Sequence, residues 1–134
     1  VSQADRDYSG ELMTAVGKIC WVDTEEGINH IIAAAGSAPA YFFLFMEAMQ
    51  AEAQRLGFSA DAARMLVEQA ASGATALVAA SPDTPLSQLR ENVTSKGGTT
   101  FEALKVFTDR KLPEIVSVAM QAAITRAQEM EKLF

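Results

Sequence analysis

The segment Val93-Thr94-Ser95-Lys96-Gly97-Gly98-Thr99-Thr100 gathers four hydroxyl side chains, a lysine and two consecutive glycines. Glycines let backbone amides come close to an anion, and the first amides of a helix starting at Thr99 or Thr100 have no intrahelical acceptor. The positive end of the helix dipole adds to that attraction. The segment is therefore suited to a carboxylate or phosphate, with Thr94, Ser95, Thr99 and Thr100 able to add hydrogen bonds or a proton. The same residues also describe an ordinary loop in which Thr99 caps the following helix. Residue types alone leave both readings open.

The other chemically capable residues point mostly to structure. Ser37, in Gly36-Ser37-Ala38-Pro39, has the residue type and position of a helix N-cap. His30 lies beside Ile31 and Ile32 without the serine, cysteine or carboxylate partners of a triad. Cys20 next to Trp21 reads as a small hydrophobe, and Met46, Met49 and Met65 as core or interface filler. Asp23, Glu25 and Glu26 suit the dipole of a helix start, and Arg126, Glu129, Glu131 and Lys132 a solvated helix face. One histidine, one cysteine and no clustered carboxylates argue against a structural zinc site or metal catalysis, so the metal ligand set is expected to be none.

These residues must be held by helices, because the alternating pattern of strands is almost absent. The spacing predicts a first helix over about 2–16, with Leu12, Ala15, Val16 and Ile19 on one face and Gly17 at its end. A second helix is expected over about 25–35 and a third over 39–56, stopped by Gly57. Ser59 caps a fourth, which reaches about Ala80 with Ala63, Leu66, Val67, Ala70, Ala74, Leu77 and Val78 along its apolar face. Ser81-Pro82-Asp83-Thr84-Pro85 is a loop, followed by a short helix over 86–92. A sixth helix runs from Thr99 or Thr100 to Asp109, and Leu112-Pro113 opens a last one reaching nearly to Phe134. The fold class is all-α, a single helical domain over 1–134.

The balance of 49% hydrophobic and 21% charged residues over 134 positions is that of a packed domain. A net charge of −6 and the lack of a basic patch argue against nucleic acid or an anionic membrane surface as partner. The longest apolar stretch, from Ala38 to Met46, is far short of the roughly 20 residues that span a bilayer, so no transmembrane helix is expected. The polar start lacks the order of a signal peptide, and the lone Cys20 fits a reducing, cytoplasmic setting. Neither GxGxxG nor GxxxxGK[ST] occurs, and the chain has no room for a doubly wound cofactor fold beside a substrate site. Helices three and four are more apolar than one face of a small monomeric bundle requires, which an oligomer interface explains.

Three segments together resemble a known family. Ala33-Ala34-Ala35-Gly36-Ser37-Ala38-Pro39-Ala40-Tyr41, then Arg55-Leu56-Gly57, then residues 93–100 look like the C-terminal helical domain of pyrroline-5-carboxylate reductase. The last is similar to the family's V-[TS]-S-P-G-G-[TA]-T and the first to its G-S-G-P-A-Y. Lys96 stands where the family usually has proline, and Ala38 where it usually has glycine.

The resemblance implies reduction of 1-pyrroline-5-carboxylate to proline with NADPH or NADH, bound mainly by an N-terminal dinucleotide-binding domain outside this chain. It implies a homodimer whose helical domains intertwine, with further assembly left open. By position, Ser95 and the amides of Gly97, Gly98 and Thr99 would hold the substrate carboxylate. The Thr100 hydroxyl would stand near the imine nitrogen, with Asn92 and Ser37 toward the pocket or nicotinamide edge. Two other readings stand beside it: a helical assembly module without chemistry, and the helical half of another nicotinamide-dependent dehydrogenase. The latter would need a catalytic lysine, and Lys18, Lys105 and Lys111 have no motif around them.

Overall fold

Ser2 and Thr24 open the first two helices as their side chains allow, accepting hydrogen bonds from the Asp5 and Gly27 amides at 3.2 Å each. The computed structural model describes residues 1–133. Its elements are α1 Gln3–Thr14, α2 Glu25–Ile31, a π-helical turn Ile32–Gly36, α3 Ala38–Arg55, α4 Ala60–Ala80, α5 Leu86–Asn92, α6 Thr99–Asp109 and α7 Leu112–Glu131. No strand occurs among the described residues.

The second helix differs from the sequence expectation. At Ile32 it widens into a π turn, closed by the Ser37 amide donating to the Ile32 carbonyl at 2.8 Å, and then runs on into α3. Pro39 has no N–H to give the Ala35 carbonyl, and its ring would collide with that oxygen in a regular α register. A wider turn just upstream relieves the conflict. Ser37 consequently lies in helical backbone, φ −87° and ψ −18°, and makes no capping hydrogen bond. The N-cap reading of Ser37 is wrong because the chain never leaves the helix there.

The fusion also corrects the reading of apolar length. Glu25–Arg55 is one run of 31 residues, long and apolar enough by length and composition to cross a membrane. Counting only the uninterrupted stretch from Ala38 to Met46 missed it.

The end of α3 follows the expected logic. Gly57 adopts φ +106°; its amide donates to the Gln54 carbonyl at 3.0 Å and that of Phe58 to Ala53 at 3.2 Å, the two bonds of a Schellman motif. Ser59 then accepts from the Ala62 amide at 3.2 Å and starts α4. So short a connection makes α3 and α4 neighbours, and Ala63 and Val67 of α4 are buried. Elsewhere α7 packs on the π turn and α2, and α6 on α7. Phe45 and Phe107, with ring centroids 5.8 Å apart, tie α3 to α6.

These contacts leave very little inside. Among the described residues the buried apolar ones are Ala33, Ala63, Val67 and Leu89, and no large side chain is fully enclosed. The accessible surface is 10893 Å². A compact monomer of 14.3 kDa would expose about 6,800 Å², so roughly 4,000 Å² is in excess. Phe42, Phe43 and Leu44 are each 67% exposed although consecutive. At about 100° per residue they point around more than half of the α3 circumference. The four ion pairs among the described residues, such as Arg64 with Glu68, are exposed and lie within single helices, so they add little to tertiary stability. In one of them the hydrogen bond from Arg55 lowers the Glu52 carboxyl pKa below its ordinary value.

Candidate anion site at the start of α6

The segment singled out in the sequence connects α5 to α6. Thr94 closes α5: its amide donates to the Glu91 carbonyl at 2.9 Å and its hydroxyl to the Arg90 carbonyl at 2.6 Å. That hydroxyl is therefore occupied, and the hydroxyls of Ser95, Thr99 and Thr100 are the ones left without a hydrogen-bond partner among the described residues.

Ser95 to Gly98 form a β-turn, with the Gly98 amide donating to the Ser95 carbonyl at 3.0 Å. Gly97 has φ +70° while Lys96 has a negative φ, which makes the turn type II. Position i+2 of such a turn needs a residue that tolerates the left-handed region, hence glycine at 97. Gly98 is required for another reason: a Cβ there would collide with the Ser95 hydroxyl and stand 3.2 Å from the Ser95 carbonyl. The Gly98 amide is spent inside the turn, so its part is to shape the loop.

Gly98, extended at φ −82° and ψ 175°, is the N-cap of α6 and offers no side chain to the helix amides. Thr99 is the first helical residue, so the reading in which Thr99 caps this helix does not hold. The amides of Gly97, Thr99 and Thr100 make no backbone hydrogen bond among the described residues. They sit at the positive end of an 11-residue helix, an arrangement made for an anionic oxygen.

Lys96 occupies position i+1, where proline is favoured because φ near −65° is already set. Lys96→Pro is expected to stabilise the protein by about 0.4–1 kcal/mol through the unfolded state. Urea unfolding at fixed protein concentration checks this; a lower midpoint would mean that the turn is not type II in solution.

The remaining candidates lie apart from one another. Asn92 ends α5, its side-chain oxygen accepting from Gln88 at 2.9 Å. Ser37 lines a groove between α2, the π turn and α7, together with Asn29, Arg126 and Glu131. None of residues 92–100 lines that groove. Within one chain, then, Ser95, Gly97, Gly98, Thr99 and Thr100 come together, Asn92 is adjacent, and Ser37 is elsewhere. His30 and Cys20 are exposed.

Two polar groups escaped the sequence reading. Asn29 is buried, and its amide donates to the Glu131 carboxylate at 2.7 Å across 102 positions of chain. The Tyr41 hydroxyl is buried without a partner. Both depend on helix packing that brings distant positions together, so local sequence carries no signal for them.

Against known proteins, the family model for pyrroline-5-carboxylate reductase dimerisation matches residues 25–130. The chain is 64% identical along its whole length to the pyrroline-5-carboxylate reductase of Vibrio alginolyticus, covering 49% of that protein. It is 52% identical over 96% of its length to the Pasteurella multocida enzyme, covering 47% of it. Among solved structures, the Coxiella burnetii pyrroline-5-carboxylate reductase superposes with a TM-score of 0.88 at 42% identity, over 96% of this chain and 47% of that one. The Plasmodium falciparum pyrroline carboxylate reductase, solved with NADP bound, gives 0.83 at 28% identity, over 97% and 49% respectively. The chain thus spans about half the length of the curated relatives it matches.

The excess surface, the apolar circumference of α3 and the near-absence of a core are what a chain built to be completed by another would show. With the match over residues 25–130, they lead to one conclusion: the chain belongs to the pyrroline-5-carboxylate reductase dimerisation family.

Proposed function

We propose that this chain is the dimerisation and substrate-binding half of a two-domain, cytoplasmic pyrroline-5-carboxylate reductase. The reaction is NADPH- or NADH-dependent reduction of 1-pyrroline-5-carboxylate to L-proline, the last step of proline biosynthesis. The observation that carries the reading is the α5–α6 turn, where the amides of Gly97, Thr99 and Thr100 and the hydroxyls of Ser95, Thr99 and Thr100 are left unpaired, among the described residues, at the start of one helix. Membership of the dimerisation family adds the substrate class.

In this reading residues 1–134 form one helical domain. The all-helical fold has no strand among its described residues to build a dinucleotide cradle, so cofactor binding falls mainly to the other half of the protein. Asn92 at the end of α5 and Ser37 beside the π turn lie on different elements, and in this reading they face the nicotinamide edge only once the whole protein is assembled.

The residues present suit the substrate. The amides of Gly97 and Thr99 and the Ser95 hydroxyl hold its carboxylate, which fixes the ring in register. Gly98 keeps the turn tight enough for this. The Thr100 hydroxyl, one position into α6, orients the imine nitrogen. A reduced nicotinamide held by the other half would supply the hydride for the imine carbon, and the nitrogen, protonated from water before or during that transfer, would become the secondary amine of proline.

A direct test compares the 134-residue chain with a two-domain protein that adds a dinucleotide-binding half. The chain alone is expected to form homodimers and to show no turnover, whereas the two-domain protein oxidises NAD(P)H in the presence of 1-pyrroline-5-carboxylate. A two-domain protein that folds, dimerises and fails to reduce the imine would favour a non-catalytic assembly module. Turnover by the short chain alone would place the cofactor site within these helices.

A further inference from the structure

We propose that α1 is a docking element whose apolar stripe, Ala4, Tyr8, Leu12 and Ala15, packs on the other half of the two-domain protein, a role that rests on the two-domain reading above. A helix of 12 residues is marginal in water unless one of its faces is packed. Yet no side chain of α1 is buried, and α1 takes part in none of the packing that joins α3 to α4, α7 to the π turn and α2, and α6 to α7. At about 100° per residue the four stripe residues share one face, and Tyr8 and Leu12 on it are exposed.

The helix is held by its opposite face. Trp21 folds back on it, with the Arg6 guanidinium carbon 4.5 Å from the ring centre, and a Cβ on Gly10 would stand 3.6 Å from Trp21 Cζ2. Arg6 and Gly10 lie about 160° around the helix from Tyr8. The next residue, Val22, is seated against the first turn of α2, where a Cβ on Gly27 would come within 2.7 Å of the Val22 Cβ. Consecutive side chains thus fix α1 against α2 and leave the stripe facing solvent.

The occupant follows from what α1 belongs to. The dimerisation match starts at residue 25, so α1 and its joint lie outside the matched dimerisation unit. The Vibrio alginolyticus relative matches along the whole of this chain, α1 included, and this chain covers 49% of it, so that protein has about as much chain again. Asp5 and Glu11 flank the stripe about 60° to either side of Tyr8, which suits an apolar patch rimmed by basic residues.

Trypsin cleavage after Lys18, exposed in the joint, tests this in the two-domain protein and in the 134-residue chain. In the two-domain protein Leu12→Glu is expected to speed cleavage at least about tenfold, because local opening becomes easier once the stripe carries a carboxylate. Ser9→Glu, off the stripe, should stay within about twofold of the parent. In the short chain, where the other half is absent, Leu12→Glu should also stay within about twofold, and sedimentation should find parent and variant dimeric. Equal cleavage of the two-domain parent and its Leu12→Glu form, or equal acceleration by Ser9→Glu, would overturn the proposal. Loss of the dimer by Leu12→Glu in the short chain would overturn it as well, by making a second copy the occupant. Turnover of 1-pyrroline-5-carboxylate by the two-domain parent scores the two-domain reading separately, so an active reductase whose cleavage ignores position 12 loses only the docking role of α1.

Discussion

Replacing Thr100 by alanine in the two-domain reductase lowers kcat by about 100-fold and changes KM by less than about threefold, the expected signature of a group that acts on the reacting nitrogen. Thr100 is exposed, lies one residue inside α6, and its hydroxyl makes no hydrogen bond among the described residues. Its truncation therefore costs the fold no more than about 0.5 kcal/mol. Stability and turnover separate at this position, which few others in the turn allow. Gly97 and Gly98, in contrast, cannot be changed without disturbing the backbone. Thr100→Ser keeps the hydroxyl and should recover most of the activity. Ser95→Ala should act differently, raising KM about tenfold, because it removes a hydrogen bond to a charged oxygen. Steady-state kinetics with thermal denaturation as a folding control checks the pattern. Parent-like kcat for Thr100→Ala would remove this hydroxyl from the reaction.

The second large effect concerns assembly. Phe43→Glu is expected to weaken the dimer by at least about 10³-fold, because a symmetric interface would bury the uncompensated carboxylate twice. Phe43 is 67% exposed in the single chain and lines the groove between α3 and α4 with Met46 and Val67. Phe42 and Leu44 are equally exposed, so no single flat contact can cover all three. A partner that covers all three must wrap around α3, as the proposed intertwined dimer would.

An excess of roughly 4,000 Å² per chain, about 8,000 Å² for a pair, is more than enough for an obligate interface, which buries about 2,000–5,000 Å² or more in total. Folding and dimerisation are then one event. The thermal midpoint of the unmodified chain should rise with protein concentration. Sedimentation equilibrium with far-ultraviolet circular dichroism reads both effects: the variant loses helix as it loses its partner. A Phe43→Glu protein that stays dimeric would move the interface off this face of α3.

How much of this was legible in the sequence depends on where the determining interaction lies. The boundaries of α5, the stop at Gly57 and the start at Ser59 follow from local chemistry and agree with the structure. The π turn does not, since Ile-Ala-Ala-Ala-Gly favours a helix without specifying its hydrogen-bond register. Its consequence, that Ser37 is mid-helix, was hidden for the same reason. At the candidate site, the paired glycines and hydroxyls marked the segment. They could not say which amide would be spent within the turn or which hydroxyl would close α5. That partition needed the backbone, and it passes Thr94 to α5, Gly98 to the turn and the free donors to Gly97, Thr99 and Thr100. The apolar surplus was visible in composition. Its extent was not, because a chain whose core is supplied by a second subunit has the same pattern as one with a core of its own.

A crystal structure of the two-domain dimer with bound L-proline, the product of the proposed reaction, shows whether the α5–α6 turn receives the substrate carboxylate. Carboxylate oxygens are expected within hydrogen-bond distance of the Gly97 and Thr99 amides and the Ser95 hydroxyl, with the ring nitrogen toward Thr100. Proline seated in the groove beside Ser37, Asn29 and Glu131, with the turn left empty, would contradict it.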